Sequence, residues 1–342
     1  MATMKEIAKL AGVSRGTVDR VINNRGSVNA ETEKSIREII ETLNYSPNVA
    51  GKNLAVRKKK LKFGFILFGV FDEYSFFSDV LYGIESRAAE LSEFGVSVEV
   101  RESGLYGPEK QTKLIDELVE TGINGLAITP INHPIVANKI KELTESGIPV
   151  VTSNSDILGC GRLAYVGSNY YKCGETAAGL MNLITCGSAN IGIISGSPDV
   201  LCNSERIAGF NDCQKTAYPN LNIIDVDINN DDDDESYTAT HEMLAKHPNV
   251  DALYLTASGV SGACRAVKEL GLAGKLKIIS YDATAPICKL VEDGVVTVTI
   301  AQEPLTQGAL PLDILLNYLS IGTLPEKELN HTEIEIKIKE SI

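Results

Sequence analysis

The side chains best suited to hold a small polyhydroxylated molecule fall just after short apolar runs of this sequence. Tyr74, Phe76 and Phe77 follow the run 63–68, and Asn154 and Asp156 follow 149–152. Ser258 follows 252–256, Asp282 follows 277–280 and Gln302 follows 295–300. Arg206 stands in the stretch Glu205-Arg206-Ile207-Ala208-Gly209-Phe210. This mixture suits a sugar: aromatic faces cover its C–H surface, while Asp, Asn, Arg and Gln pair with neighbouring hydroxyls two at a time. Catalysis has no comparable foothold. The sequence holds no G-x-G-x-x-G after a strand, no P-loop and no nucleophile elbow, and Gly192-Ile193-Ile194-Ser195-Gly196 reads as an ordinary strand end. The four histidines (133, 241, 247 and 331) show neither acid–base placement nor metal-ligand spacing. No enzyme, metal or cofactor is expected.

Residues so scattered need a scaffold that gathers the ends of the runs. From Leu61 onward strand-like stretches at 63–68, 96–100, 125–128, 149–152, 191–194, 252–255, 277–280 and 295–300 alternate with helical patterns, for example at 79–93, 108–121, 134–146, 172–184 and 259–270. Such alternation predicts an α/β body, a parallel sheet covered by helices on both faces. About 280 residues is large for one such sheet, so two similar lobes are predicted, with a ligand held in the cleft between them at the carboxyl ends of the strands.

Composition divides the chain in the same way. Net charge is −13 over 342 residues, yet residues 1–60 carry 12 Lys/Arg against 6 Asp/Glu, which leaves −19 for the rest. A small basic head on a large acidic body predicts separate partners, and the acidic body would repel nucleic acid and confine contact to the head. The opening residues lack the apolar core and cleavage pattern of a signal peptide, and no apolar run reaches membrane-spanning length. Seven cysteines without a C-x-x-C pair then read as idle thiols. The expectation is a soluble cytoplasmic protein with no membrane partner.

The head itself reads as three helices. Thr3-Met4-Lys5-Glu6 is a capping box before Ile7, Ala8, Leu10 and Ala11; Gly12-Val13 breaks that helix; Ser14 caps a second through Ile22; and Asn29 caps a third at 30–43. Two helices joined by a tight glycine turn and backed by a third form a helix-turn-helix. The run from Lys5 to Asn23 (KEIAKLAGVSRGTVDRVIN) closely resembles the head of the lac repressor (LacI/GalR) family. The resemblance continues through Tyr45, Pro47-Asn48 and Leu54-Ala55, then over nearly the whole body, which family members build like periplasmic sugar-binding proteins.

The resemblance implies roles. The second helix enters the major groove, where the base-reading positions hold Arg15, Gly16 and Arg20; arginine can donate two parallel hydrogen bonds to a guanine edge, and Gly16 has no side chain to contribute. Ser14, Thr17, Asn23 and Asn24 match capping or phosphate-contact positions. Asp19 departs from the serine usual at its site. Residues 47–56 match a hinge helix that orders on operator DNA, with Asn48 in it and Leu54 as the leucine that wedges into the minor groove, unless Leu54 simply packs on the body. The run Arg57-Lys58-Lys59-Lys60 is a phosphate contact or a solvated linker. In the body the nine residues above match positions that hold sugar in ribose-binding-like proteins, although Asn154 and Ser155 replace an Asp and an Arg there. Asp231, in an acidic run 230–235 read as a solvated loop, aligns with an aromatic ligand position.

The expected layout is a DNA-binding domain at 1–46, a hinge and linker at 47–60 and an effector core at 61–342. Within that core one lobe takes about 62–168 and 303–330, and the other about 169–302 and 331–342. The expected protein is a homodimeric regulator, a repressor, reading a pseudo-palindromic double-stranded operator under control of a small-molecule effector, a carbohydrate. Alternatives are a response to a nucleobase or a co-regulator protein, or a solute-binding receptor.

Overall fold

A computed structural model of the chain describes residues 3–22, 28–43, 59–69, 75–104, 107–198 and 200–342. Among the described residues the head is three helices, α1 (Met4–Leu10), α2 (Arg15–Ile22) and α3 (Ala30–Thr42). Each start has a local cause. Thr3 and Glu6 close a reciprocal capping box, the Thr17 amide donates to Ser14 Oγ at 3.1 Å, and the Glu31 amide donates to Asn29 Oδ1. Ile7, Ala8, Val18, Val21 and Ile36 meet in a small buried core, which leaves the opposite face of α2 to solvent.

The body holds two six-stranded sheets of the same plan. The first comprises β1 (Lys62–Leu67), β2 (Ser97–Glu102), β3 (Gly125–Ile128), β4 (Val150–Ser153), β5 (Ala164–Gly167) and β11 (Leu329–His331), in the order β11-β5-β4-β3-β1-β2. The second comprises β6 (Ala189–Ser195), β7 (Leu221–Ile228), β8 (Ala252–Leu255), β9 (Lys277–Tyr281), β10 (Val298–Ala301) and β12 (Glu335–Lys337), in the order β12-β10-β9-β8-β6-β7. All pairings are parallel except β10 with β12. Alternation along β1 covers both faces of the first sheet. Phe63, Phe65 and Leu67 pack toward α4 (Phe76–Ser92) and α12 (Pro304–Ile321), while Ile66 packs toward α5 (Pro108–Glu120) and α6 (Pro134–Glu145). The second sheet is clad likewise by α7 (Tyr170–Ile184) and α8 (Leu201–Ala217) on one face, and by α9 (Asp233–Lys246), α10 (Val260–Glu269) and α11 (Ala285–Glu292) on the other.

The chain crosses between the sheets three times: after β5 into α7, after β10 into α12, and after β11 into β12. Helix α12 packs on the first sheet, close against α4; a Cβ on Gly83 would sit 2.5 Å from the Leu305 carbonyl oxygen. One local expectation is overturned. The acidic run is not simply a loop, because Asp232 caps α9 by accepting from the Asp234 and Glu235 amides, and Asp233, Asp234 and Glu235 form its first turn. Carboxylates favour that place because the helix N-terminus is electropositive.

Candidate functional site

Parallel strands of each sheet end on the same side, so the loops that follow them converge. The turn after β4 passes through Asn154 at φ +61°, and the turn after β9 passes through Asp282 at φ +71°. Asn and Asp tolerate this left-handed region better than most residues. Each turn re-aims a polar side chain into the space between the sheets. There a cavity of about 90 Å³ is lined by Phe68, Phe76, Phe77, Asn154, Tyr170 and Val200, and by Cys202, Asn203, Arg206, Asp231, Ser258, Asp282 and Gln302 among others. A wider cavity of about 660 Å³ shares Phe76, Asp231, Ser258 and Asp282 with it. Phe76 and Phe77 stand edge to face with ring centroids 5.3 Å apart, and Phe68 meets Phe77 at 5.7 Å, which makes an aromatic wall.

Arg206 is the centre of the polar wall and only 4% exposed. It sits in the second turn of α8, which crosses α7 so closely that a Cβ on Gly174 would collide with the Arg206 carbonyl. Its Nη1 donates to the Thr256 carbonyl and its Nη2 to Gln302 Oε1 at 3.0 Å. The Tyr281 ring lies 3.7 Å from the guanidinium carbon and the Tyr170 ring 5.0 Å. Among the described residues its buried Nε has no hydrogen-bond partner. Gln302 passes the chain on, donating from Nε2 to Asp282 Oδ1. Asp231, at φ +62°, accepts from the Ser258 amide through Oδ1, the Ser197 amide also bears on its carboxyl, and among the described residues its buried Oδ2 has no hydrogen-bond partner.

Burial dominates the electrostatics. It pushes the carboxyls of Asp231 and Asp282 above their ordinary range, against the opposing pull of the Ser258 amide and Arg206 on the first, and of Arg206 and Gln302 on the second. Burial also pushes the Cys202 thiol up to about 11, so it is protonated and no nucleophile at neutral pH. Among the described residues the site offers hydrogen bonds and charge.

Of the residues singled out in the body, Phe76, Phe77, Asn154, Arg206, Asp231, Ser258, Asp282 and Gln302 line this one cavity. Asp156 does not. Its two oxygens are taken by Arg162, one of them 2.7 Å from Nη2, and Thr152 Oγ1 also donates to it. A buried carboxylate is stable only when paired, and Arg162 is the cation in reach. Tyr74 lies outside the described residues. Sequence reasoning missed Tyr170 and Asn203. Asn203 had a signal, since it stands three residues before Arg206 and so on the same face of a helix.

It also missed Gln307, which is wholly buried in α12. Gln307 Nε2 donates to the Gln302 carbonyl at 2.6 Å, and its Oε1 accepts from Asn154 Nδ2 at 3.0 Å. Pro311, inside the same helix, has no N–H for the Gln307 carbonyl, which accepts from Ser153 Oγ at 2.7 Å instead. At the far end of α12, Lys59 Nζ donates to the carbonyls of Leu319 at 2.7 Å and Ser320 at 3.1 Å. One helix thus joins the cavity wall to the segment leading from the head.

In the head, Val18 and Val21 are buried while Arg15, Gly16 and Arg20 are exposed. Gly16 and Arg20 lie four residues apart and share one stripe of α2. Ser14 and Thr17 are tied together by a 2.9 Å hydroxyl contact at the start of that helix. Asn23, Asn24, Asn48 and Leu54 lie outside the described residues. Among the described residues no helix is long and apolar enough to cross a membrane.

Comparison with known proteins agrees with this two-part build. Residues 3–48 match the family of bacterial regulatory proteins described as the lacI family, and residues 63–323 match the periplasmic binding protein domain. The chain is 27% identical to the HTH-type transcriptional repressor PurR of Haemophilus influenzae, over 82% of this chain and 81% of that one. It is 24% identical to the ribose operon repressor of Halalkalibacterium halodurans, over 99% and 95%. Among solved structures, a transporter solute binding protein of Burkholderia graminis in complex with D-arabinose aligns with a TM-score of 0.76 at 25% identity, covering 82% of this chain and 96% of that one.

Proposed function

The chain belongs to the bacterial regulators that carry a lacI-family head on a periplasmic-binding-protein body, and from that footing we propose a transcriptional regulator, a repressor, whose hold on DNA is set by a sugar or sugar derivative bound between the lobes. The observation that carries the reading is the union, in one chain, of an exposed arginine-bearing helix in a capped helix-turn-helix with a cavity built on the Arg206–Gln302–Asp282 chain. Similarity to a ribose operon repressor and to an arabinose-bound solute binding protein supports a sugar ligand.

In this reading α2 lies in the major groove and Arg15 and Arg20 donate to guanine edges, while Ser14 and Thr17 hold the backbone. Asn23, Asn24 and Asn48 add phosphate contacts, and Leu54 enters the minor groove. Residues 1–46 form the head, 47–60 the hinge and linker, and 61–342 the effector core, and two copies bind a pseudo-palindromic operator as a homodimer. Ligand bound across the cleft pulls on Gln302; Gln307 and α12 carry that shift to the carbonyls held by Lys59, biasing the hinge between two states.

A binding selection with random duplex DNA, followed by melting curves over a panel of free sugars and operator titration with each hit, tests the proposal. The expected result is a two-fold-symmetric motif and a sugar that both raises the melting temperature and changes operator affinity. A chain with no sequence preference would overturn the DNA half, and melting curves that no sugar moves would overturn the effector half.

A further inference from the structure

The charges and hydrogen bonds already spent in the cleft constrain what can fill it. Its described lining holds two carboxylates, Asp231 and Asp282, against one cation, Arg206. Arg206 is occupied: both terminal nitrogens donate to protein oxygens and tyrosine rings flank it. What remains unpaired along the lining is rich in acceptors. Among the described residues buried Asp231 Oδ2 has no hydrogen-bond partner, although the Ser197 amide also bears on that carboxyl, and the second oxygen of Asp282 has none either. The wider cavity adds Lys110 but also Asp232 and Asp233, and Asp79 bears on Asp282 as a further negative charge. A phosphate or carboxylate ligand would therefore meet like charge from carboxylates that are themselves largely buried. A neutral hydroxyl could satisfy one oxygen's geometry but would leave the excess charge uncompensated. One donor points the other way. Arg206 Nε belongs to a side chain 4% exposed and has no partner among the described residues, so the ligand also brings an oxygen acceptor.

We infer that the ligand of this cleft is an amino sugar or similar aminated polyol whose protonated amine sits between Asp231 and Asp282 while a hydroxyl or ring oxygen accepts from Arg206. Asp231 is then the specificity-determining residue, since it adds the second carboxylate. The inference rests on the reading of the cleft as the effector site.

Calorimetry on the full chain tests it, with 2-amino-2-deoxyhexoses and 1-amino-1-deoxyalditols as probes beside their N-acetyl derivatives, neutral parents and hexose 6-phosphates. At least one amine should bind ten or more times tighter than its parent and its N-acetyl derivative, and no phosphate should bind. Asp231→Asn, nearly isosteric, should shrink that preference to within threefold by weakening the amine while leaving or improving the neutral parent. A neutral sugar or phosphate that binds as tightly as its amine overturns the inference and leaves the sugar reading standing, and so does an Asp231→Asn protein that keeps the preference. If nothing in the panel binds, the sugar reading and this inference fall together. Should the variant not fold, the wild-type panel decides the matter alone.

Discussion

Replacing Gln307 by Leu removes one amide from the junction between the cleft and α12 while keeping most of its volume. The change leaves Asn154 Nδ2 and the Gln302 carbonyl, both buried, without their present partners. Each orphaned buried group costs about 1–3 kcal/mol, and the apolar leucine recovers part of the loss. A net destabilisation of about 2–4 kcal/mol follows, and at an unfolding entropy of about 2.1 cal/mol/K per residue it lowers Tm by roughly 3–6 °C for a chain of this size. The second effect is local. Gln302 holds Arg206 Nη2 and Asp282 Oδ1 through its side chain, and without its backbone anchor that chain is less well fixed. Effector affinity should fall by about 10–100-fold, equivalent to roughly 1.4–2.7 kcal/mol. Differential scanning calorimetry gives the first number and titration with the best sugar hit the second. A double-mutant cycle with Gln302→Ala should show strong non-additivity, because both changes break one chain of contacts. A Gln307→Leu protein that melts within a degree of the parent and binds effector equally well would refute the reasoning.

Four further outcomes follow from the same geometry. Arg20→Ala should cost about 1–3 kcal/mol of specific operator binding and relax preference at one base pair per half-site, measured by binding selection and anisotropy. Asp282→Ala removes the carboxylate that Gln302 presents to the ligand; it should abolish the effector response, a loss of about 2–4 kcal/mol once charged hydrogen bonds are counted, and leave ligand-free operator affinity nearly intact. Lys59→Met strips two carbonyls of α12 of their donor; effector affinity measured by calorimetry should hold while the effector-driven change in operator affinity shrinks. The last concerns pH. Burial raises the folded-state pKa of Asp231, so its contribution to stability is present below the ordinary carboxyl value and is lost as pH climbs through the raised one. Ligand-free Asp231→Asn should accordingly lose less melting temperature than the parent between pH 4 and 7, and matching curves would count against a sealed carboxylate.

The sequence by itself determined most of the local structure and pointed to much of the polar lining of the cleft. Helix α2 begins and ends where Ser14 and the apolar pair Val18 and Val21 dictate, because caps and helical spacing act within a few residues. Arg206, Asp282 and Gln302, up to 96 residues apart, meet because parallel strands end on one side, which alternation alone implies. The edge strand β7 escaped notice, since Asp225 and Asp227 interrupt its apolar pattern. The tertiary structure alone decided the partners. Asp156 is claimed by Arg162, which also reaches Glu328, 166 residues away in sequence from that arginine, so a residue of the right type after the right strand left the site. Gln307 gained its role because Pro311 frees a carbonyl for Ser153 and the α4–α12 contact fixes the helix over β4. Type and periodicity state what a side chain could bind, but a buried polar group takes whichever complement the packed chain brings within about 3 Å, and that distance is set by sheet register and helix approach over the whole body.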